Sequence, residues 1–130
     1  MPYSTPYVRG QGRIFRMWPV KLRPGVTTDE FERFLKEDWV EVFWSAPGVR
    51  SCVLKGNRGM EVGRYLIVAE FDRVHTRDLY WPETGESDLW KQLSAEGLAT
   101  PESIRAETRW AELVVPEWAE DYTDWELVAE

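Results

Sequence analysis

The sequence predicts an α+β fold in which helices pack on one antiparallel sheet. The stretch from residue 13 to residue 72 has the order strand, helix, strand, strand, and its strands are apolar on both faces. The helices of one small chain cover only one side of such a sheet, so the other side needs a partner or must enclose a ligand. A chain of 130 residues, 43% of them hydrophobic, is long enough for one domain with a real core.

Turn and capping residues divide the first half of the chain into elements. The run from Ile14 to Leu22 predicts the first strand, and Pro19, which has no N–H, indicates a bulge or the end of regular pairing. Thr27 or Thr28 is expected to cap a helix that ends at Pro47-Gly48. The apolar stripe of this helix recurs at helical spacing: Phe31, Phe34, Leu35, Trp39, Val42 and Phe43.

Two further strands follow as a predicted hairpin. Val49 to Lys55 and Gly63 to Asp72 are apolar runs separated by a Gly-Asn-Arg-Gly turn signal at 56–59. A helical turn at 76–81 ends at Pro82, and Ser87 is expected to cap a short helix through Leu93.

The last third predicts one more helix and one more strand. The helix begins at Thr100-Pro101 and ends at Pro116, and the final strand spans Tyr122 to Val128 with its partner left open. The expected inner stripe of the helix is Ile104, Thr108, Ala111 and Val115. The order β-α-β-β-α-β with an extra helix is the ferredoxin-like plan, with strands one and three at the centre. Residues 1–12 are expected to form an N-terminal arm, and residues 13–130 a single domain.

Composition argues against several classes of protein. The net charge is −7, the acids are concentrated in the second half, and no basic cluster occurs, so nucleic-acid binding is not expected. No apolar run suits a membrane helix and no signal-peptide pattern begins the chain, so a cytoplasmic location is expected. The single cysteine excludes an internal disulfide and a cysteine-based metal cage, and no metal or cofactor is predicted.

Strand alternation predicts a site on the open side of the sheet. Arg16 and Trp18 share one face of the first strand, and Leu66, Val68 and Glu70 share one face of the third. If the strands pair, these residues converge on an apolar wall that carries a few polar groups, as in a small-molecule pocket. The alternative is an Arg16–Glu70 ion pair that lies at a subunit interface and does no chemistry.

His75 is the only histidine and the only side chain whose unperturbed pKa lies near neutrality. It is expected in a loop after the third strand, where it could act as a general base or as a ligand to iron. No second histidine is present to complete a metal site, and a surface or capping role is the alternative. The eight tryptophans suit pocket walls and interfaces as well as a core.

The run from Arg13 to Asp72, followed by the Tyr80-Trp81-Pro82 turn, resembles the dimeric α/β-barrel superfamily. That group includes antibiotic-biosynthesis-type monooxygenases and EthD-like proteins. The resemblance implies a homodimer of two ferredoxin-like protomers packed sheet against sheet, with a ligand pocket on each open face. Members include cofactor-free monooxygenases that act on polycyclic aromatics, haem-degrading enzymes and isomerases.

The leading hypothesis is a homodimeric barrel that binds a small apolar or aromatic molecule, as a cofactor-free monooxygenase or a related protein. Arg16 would orient an anionic or phenolic oxygen, Trp18 would stack, and Glu70 or His75 would move a proton. The remaining predicted binding residues are Leu66, Val68 and Trp81. The alternative is a non-enzymatic dimeric binding or assembly module whose sheet-sheet interface is fully packed, and a third hypothesis is haem handling through His75.

Overall fold

The computed structural model describes residues 12–42, 46–97 and 100–129. The elements are β1 (Ile14–Val20), α1 (Thr28–Val42), β2 (Val49–Lys55), β3 (Tyr65–Phe71), α2 (Val74–Tyr80), α3 (Asp88–Gly97), α4 (Pro101–Leu113), a 3-10 helix (Pro116–Glu120) and β4 (Thr123–Glu126). Residues 1–11 of the predicted arm, and Phe43 of the predicted helical stripe, lie outside the described residues. The arm and the domain boundary therefore stay predictions.

The four strands form one antiparallel sheet in the order β2-β3-β1-β4. This order confirms that the first and third strands lie side by side at the centre and that β2 and β3 form a hairpin. The C-terminal strand, whose partner the sequence left open, pairs with β1 from Ile14↔Glu126 to Met17↔Thr123. The element order and the strand order are those of the ferredoxin-like plan.

Pro19 interrupts neither the register nor the pairing with β3. It lies opposite Leu66 in a continuous ladder, so the bulge that its position suggested is absent. Pairing with β4 ends at Met17, two residues earlier. A residue that cannot donate is tolerated here because no β4 residue lies opposite it.

The sheet has one helix-covered face and one open face. Directly paired residues share a face, so Arg16 and Trp18 lie with Ala69 and Ile67, whereas Glu70 lies with Phe15 on the other side. The helix-covered face holds the buried strand residues Ile14, Arg16, Trp18, Val20, Tyr65, Ile67, Ala69 and Phe71. The open face consists of Phe15, Met17, Pro19, Arg50, Cys52, Leu54, Leu66, Val68, Glu70, Thr123 and Trp125.

The predicted sorting of β1 is therefore wrong. We expected the strand face that contains Arg16 to be the open one, because a cation usually marks the solvent side. In the structure Arg16 is 6% exposed and lies under the helices, while Phe15 and Met17 are half-buried on the open face. A carboxylate from β4 pairs with Arg16, and this partner makes the burial of its charge tolerable.

The predicted helix caps are confirmed. The Thr27 hydroxyl oxygen accepts the Glu30 N–H at 3.1 Å, which identifies Thr27 rather than Thr28 as the cap of α1. Ser87 and Thr100 accept the N–H groups of Trp90 and Ser103, each at 3.1 Å, at the starts of α3 and α4. The α3 helix continues to Gly97, beyond the predicted end at Leu93.

The inner stripe of α4 differs from the predicted one. Ser103, Ala106, Trp110 and Leu113 are buried, whereas Ile104 is 56% exposed. The ring of Trp110 packs at 6.0 Å, between centroids, from the rings of Phe31, Phe34 and Trp39 of α1. Burying this large side chain sets the rotation of the helix and turns the smaller Ile104 outward. No described helix is long and apolar enough to cross a membrane.

Candidate functional site

A cavity of about 1030 Å³ lies between the helix-covered face of the sheet and the helices. Its strand residues include Arg16, Trp18, Ile67 and Ala69. Small-molecule sites typically measure roughly 300–1,000 Å³, so this cavity lies at the upper end of that range. Six aromatic side chains of the described residues line it: Trp18, Trp81, Trp90, Trp110, Trp118 and Tyr122.

The aromatic walls combine side chains from β1, α3, α4, the 3-10 helix and the segments that follow α2 and the 3-10 helix. Trp81 follows α2 immediately before Pro82, and α3 brings Trp90 to it, with ring centroids 4.0 Å apart. The 3-10 helix after α4 places Trp118 5.8 Å from Trp18 and 5.3 Å from Trp110, both edge-on. Edge-on rings leave part of their faces free, so the walls suit stacking with a flat apolar molecule.

An ion-pair network lies at the sheet side of the cavity. Asp124 of β4 accepts from Arg16 Nε at 2.6 Å and from Arg16 Nη2 at 2.9 Å, and it accepts from Arg77 Nη1 at 2.7 Å. The side chains of Arg16 and Asp124 are 7% and 19% exposed. Burial alone would raise the pKa of Asp124, but the hydrogen bonds and charges of Arg16 and Arg77 hold that pKa below its usual value.

Aromatic rings surround the Arg16 guanidinium as well. Its central carbon lies 4.1 Å from the ring centroid of Tyr122, 5.3 Å from that of Trp81 and 5.9 Å from that of Trp18. These distances are within the range of cation–π attraction. Arg16 is thus held by one carboxylate and by ring faces, and two of its N–H groups are already committed to Asp124.

Glu107 of α4 is a second carboxylate on the cavity wall. Among residues 12–42, 46–97 and 100–129, no lysine or arginine forms an ion pair with it. Glu107 is an exposed residue of α4, and the partial burial of its carboxyl group raises its pKa. Asp78, Glu83 and Glu86 are exposed residues that line the same cavity.

The structure brings together three of the seven predicted site residues. Arg16, Trp18 and Trp81 line the cavity. Leu66, Val68 and Glu70 lie on the open face of the sheet, so the predicted convergence of Arg16, Trp18 and Glu70 on one surface is wrong. The register explains this result, because Arg16 is paired with Ala69 and the adjacent Glu70 points to the opposite side.

Glu70 has partners of its own on the open face. Its carboxylate accepts from Arg13 Nη1 at 2.8 Å and from Arg50 Nε at 2.9 Å. Burial opposes ionisation of Glu70, but Arg50 and Arg13 outweigh burial and lower its pKa. The Arg16–Glu70 ion pair considered from the sequence is replaced by Arg13–Glu70–Arg50.

His75 lies in the first turn of α2 rather than in a loop, and it is exposed. It does not line the cavity. Within the described part of the chain, no group of three histidine, cysteine, aspartate or glutamate residues is arranged to hold a metal ion. The catalytic roles predicted for Glu70 and His75 stay predictions, and neither residue reaches the aromatic cavity.

Sequence reasoning missed Asp124, Arg77, Glu107, Trp118 and Tyr122, which all line the cavity. A signal for Asp124 was present, because it stands between Thr123 and Trp125 in an apolar strand pattern. Its significance depended on the pairing of the last strand with β1, which the sequence did not reveal. Glu107 and Trp110 are three residues apart on α4 and so lie on neighbouring positions of its surface.

Comparison with known proteins supports the fold. No family model matches the chain, and no curated protein matches it. A solved structure from Bacteroides fragilis, described as a dimeric protein of unknown function with a ferredoxin-like fold, is 16% identical in sequence, with a TM-score of 0.50. The match covers 92% of this chain and 100% of that chain. A protein of Arabidopsis thaliana matches with a TM-score of 0.38 and 13% identity, over 90% of this chain and 95% of that one. Together with the strand order, the Bacteroides match shows that this chain has a ferredoxin-like fold.

Proposed function

We propose that this protein binds a small aromatic or apolar molecule in the cavity between its sheet and its helices. The observation that carries the proposal is the cavity of about 1030 Å³ with six aromatic side chains on its walls and a buried, charge-paired Arg16 at its sheet side. Ligand sites combine apolar walls with fixed polar groups. In this cavity the six aromatic rings supply the apolar walls, and charged side chains such as Arg16 and Asp124 supply the polar groups. Trp18 and Trp81 contribute stacking surfaces. The Arg16 guanidinium is held in position by its two hydrogen bonds to the Asp124 carboxylate.

Isothermal titration calorimetry with 2-naphthalenemethanol, a flat neutral aromatic alcohol, tests this proposal. Trp118→Ala removes one wall of the cavity, and we expect binding to weaken by at least roughly twofold, the lower bound for a lost aromatic contact. Trp125→Ala is the matched control, because Trp125 is 58% exposed on the open face of the sheet. Absence of binding to the wild-type protein, or equal weakening in both variants, would contradict the proposal.

We further propose that two copies of the chain associate through the open face. This face carries Leu54 and Trp125, which are 50% and 58% exposed, beside the half-buried Phe15, Met17 and Leu66. Apolar side chains grouped on one sheet face favour association. The Bacteroides protein of the same fold is described as dimeric, which supports a second copy as the occupant.

Light scattering coupled to size-exclusion chromatography measures this association. We expect a dimer for the wild-type chain and a monomer for Leu54→Glu, which places a charge in the proposed interface. Ile104→Glu is the control, since Ile104 is comparably exposed, at 56%, but lies on α4. A wild-type monomer at micromolar concentration would overturn the proposal. A dimer that binds no ligand would instead favour the non-enzymatic assembly module.

Cofactor-independent oxygenation of the bound molecule is our proposal for a reaction. The aromatic cavity supports this reaction because it offers an apolar site for an aromatic substrate. Oxygen uptake in the presence of 1-naphthol, compared between the wild-type protein and Trp118→Ala, tests it. If neither protein takes up oxygen faster than the buffer alone, the proposed oxygenation is wrong and only the proposal of binding stands.

A further inference from the structure

Acidic side chains outnumber basic side chains on the walls of the cavity. The lining residues include two cations, Arg16 and Arg77, against five carboxylates: Asp78, Glu83, Glu86, Glu107 and Asp124. Both cations are already paired, because Asp124 holds them together and Arg77 also donates to Asp78 at 2.8 Å. An incoming anion would therefore meet compensated cations and an excess of negative charge.

Glu107 differs from the carboxylates at the sheet side of the cavity. Asp124 is satisfied by two arginines, whereas Glu107 stands on α4 with no cation paired to it among the described residues. Trp110, one turn further along the same helix, lies on the same cavity wall. A ligand cation placed beside Glu107 would supply the missing counter-charge and at the same time lie next to aromatic rings.

The aromatic walls are themselves suited to a cation. The faces of tryptophan and tyrosine rings attract positive charge, and the attraction increases when the cation is shielded from water. Arg16 demonstrates this arrangement inside the cavity, with its guanidinium carbon 4.1 Å from the ring centroid of Tyr122. The remaining tryptophans at Trp90, Trp110 and Trp118 line the cavity together with Glu107.

We infer that the ligand of this cavity is an aromatic or apolar molecule that carries a protonated or quaternary amine, and that Glu107 binds this amine. The inference rests on the proposed function and adds the charge of the ligand to it. It also revises the role predicted for Arg16, because a residue already held by Asp124 through two hydrogen bonds is poorly placed to select an anion.

Three probes of similar shape and different charge test the inference by calorimetry at pH 7: 2-naphthylmethylamine, 2-naphthalenemethanol and 2-naphthoate. We expect the amine to bind about tenfold more tightly than the alcohol, as for one charge-assisted contact, and the carboxylate to bind most weakly. Glu107→Gln should reduce the ratio of amine to alcohol affinity to near one. Glu102→Gln, an acid in the first turn of α4 that does not line the cavity, should keep the wild-type ratio.

The possible results distinguish a failure of the amine preference from a failure of ligand binding itself. If none of the three probes binds, the proposed function fails and the inference fails with it. If the alcohol binds but the amine has no advantage, or the carboxylate binds best, binding in the cavity stands and the inference is overturned. An amine preference that survives Glu107→Gln would also overturn it, since another group would then recognise the charge.

Discussion

Replacing Asp124 by asparagine tests the ion-pair network at the sheet side of the cavity. The substitution keeps the shape of the side chain but removes the charge that pairs with Arg16, whose side chain is 7% exposed. Removing one partner of a buried ion pair typically costs about 3–5 kcal/mol, because the other charge stays buried without compensation. Asp124 is 19% exposed, so we expect a loss near the lower end, about 3 kcal/mol.

Urea denaturation followed by circular dichroism measures this loss. With a slope of roughly 1–3 kcal/mol per molar urea, a loss of about 3 kcal/mol lowers the midpoint by roughly 1–3 M. Asp78→Asn is the control, because Asp78 pairs with Arg77 at 2.8 Å but is 54% exposed. An exposed pair contributes at most about 1 kcal/mol. A cost below about 1 kcal/mol for Asp124→Asn would refute the reasoning.

The same network predicts the direction of a pH dependence. The folded-state pKa of Asp124 lies below its ordinary value, so the unfolded chain takes up the proton first as the pH falls. The contribution of Asp124 to stability is therefore complete above about pH 4, the ordinary aspartate pKa, and is lost below it. The difference in unfolding free energy between wild type and Asp124→Asn should accordingly shrink in acid, and a difference that grows in acid would contradict the assignment.

Two further pairs of substitutions test packing and backbone geometry by thermal unfolding. Gly48→Ala should lower the melting temperature more than Gly25→Ala. Both glycines have positive φ, at 79° and 87°, but only at Gly48 would a Cβ meet a side-chain atom, Thr76 Cγ2, at 2.8 Å. Trp110→Ala should cost about 3–5 kcal/mol, as for other large aromatic truncations in a core, whereas Ile104→Ala should cost well under 1 kcal/mol. Equal costs within either pair would contradict the described packing.

The fold could be predicted because it depends on local signals that agree with one another. Thr27, Ser87 and Thr100 are hydroxyl residues at helix starts, and each caps the expected helix. The apolar strands and the turn at 56–59 specified the hairpin, and the hairpin with its preceding strand and helix specified the sheet order. The structure differs in the length of α3, the rotation of α4, the unbroken pairing at Pro19 and the face of β1 that is buried.

The site could be predicted only in part because it depends on non-local pairing. The apolar alternation of β1 allowed either face to be buried, and the presence of Arg16 suggested the wrong one. The burial of Arg16 is tolerable because its guanidinium pairs with Asp124. Asp124 is 108 residues away in sequence and becomes adjacent only when β4 pairs with β1. Trp18 and Trp81, two of the predicted binding residues, line the cavity, but Trp18 lies on the helix-covered face of the sheet and not on the open face where the pocket was expected.

The central claim is that a small aromatic molecule binds between the sheet and the helices and not on the open face. Heteronuclear spectra of the indole N–H groups, with signals assigned by tryptophan-to-phenylalanine substitution, test this claim during titration with 2-naphthalenemethanol. We predict that the signals of the tryptophans lining the cavity shift together: Trp18, Trp81, Trp90, Trp110 and Trp118. The signal of Trp125, on the open face, should stay in place. A shift confined to Trp125, or no shift at saturating ligand, would contradict the account.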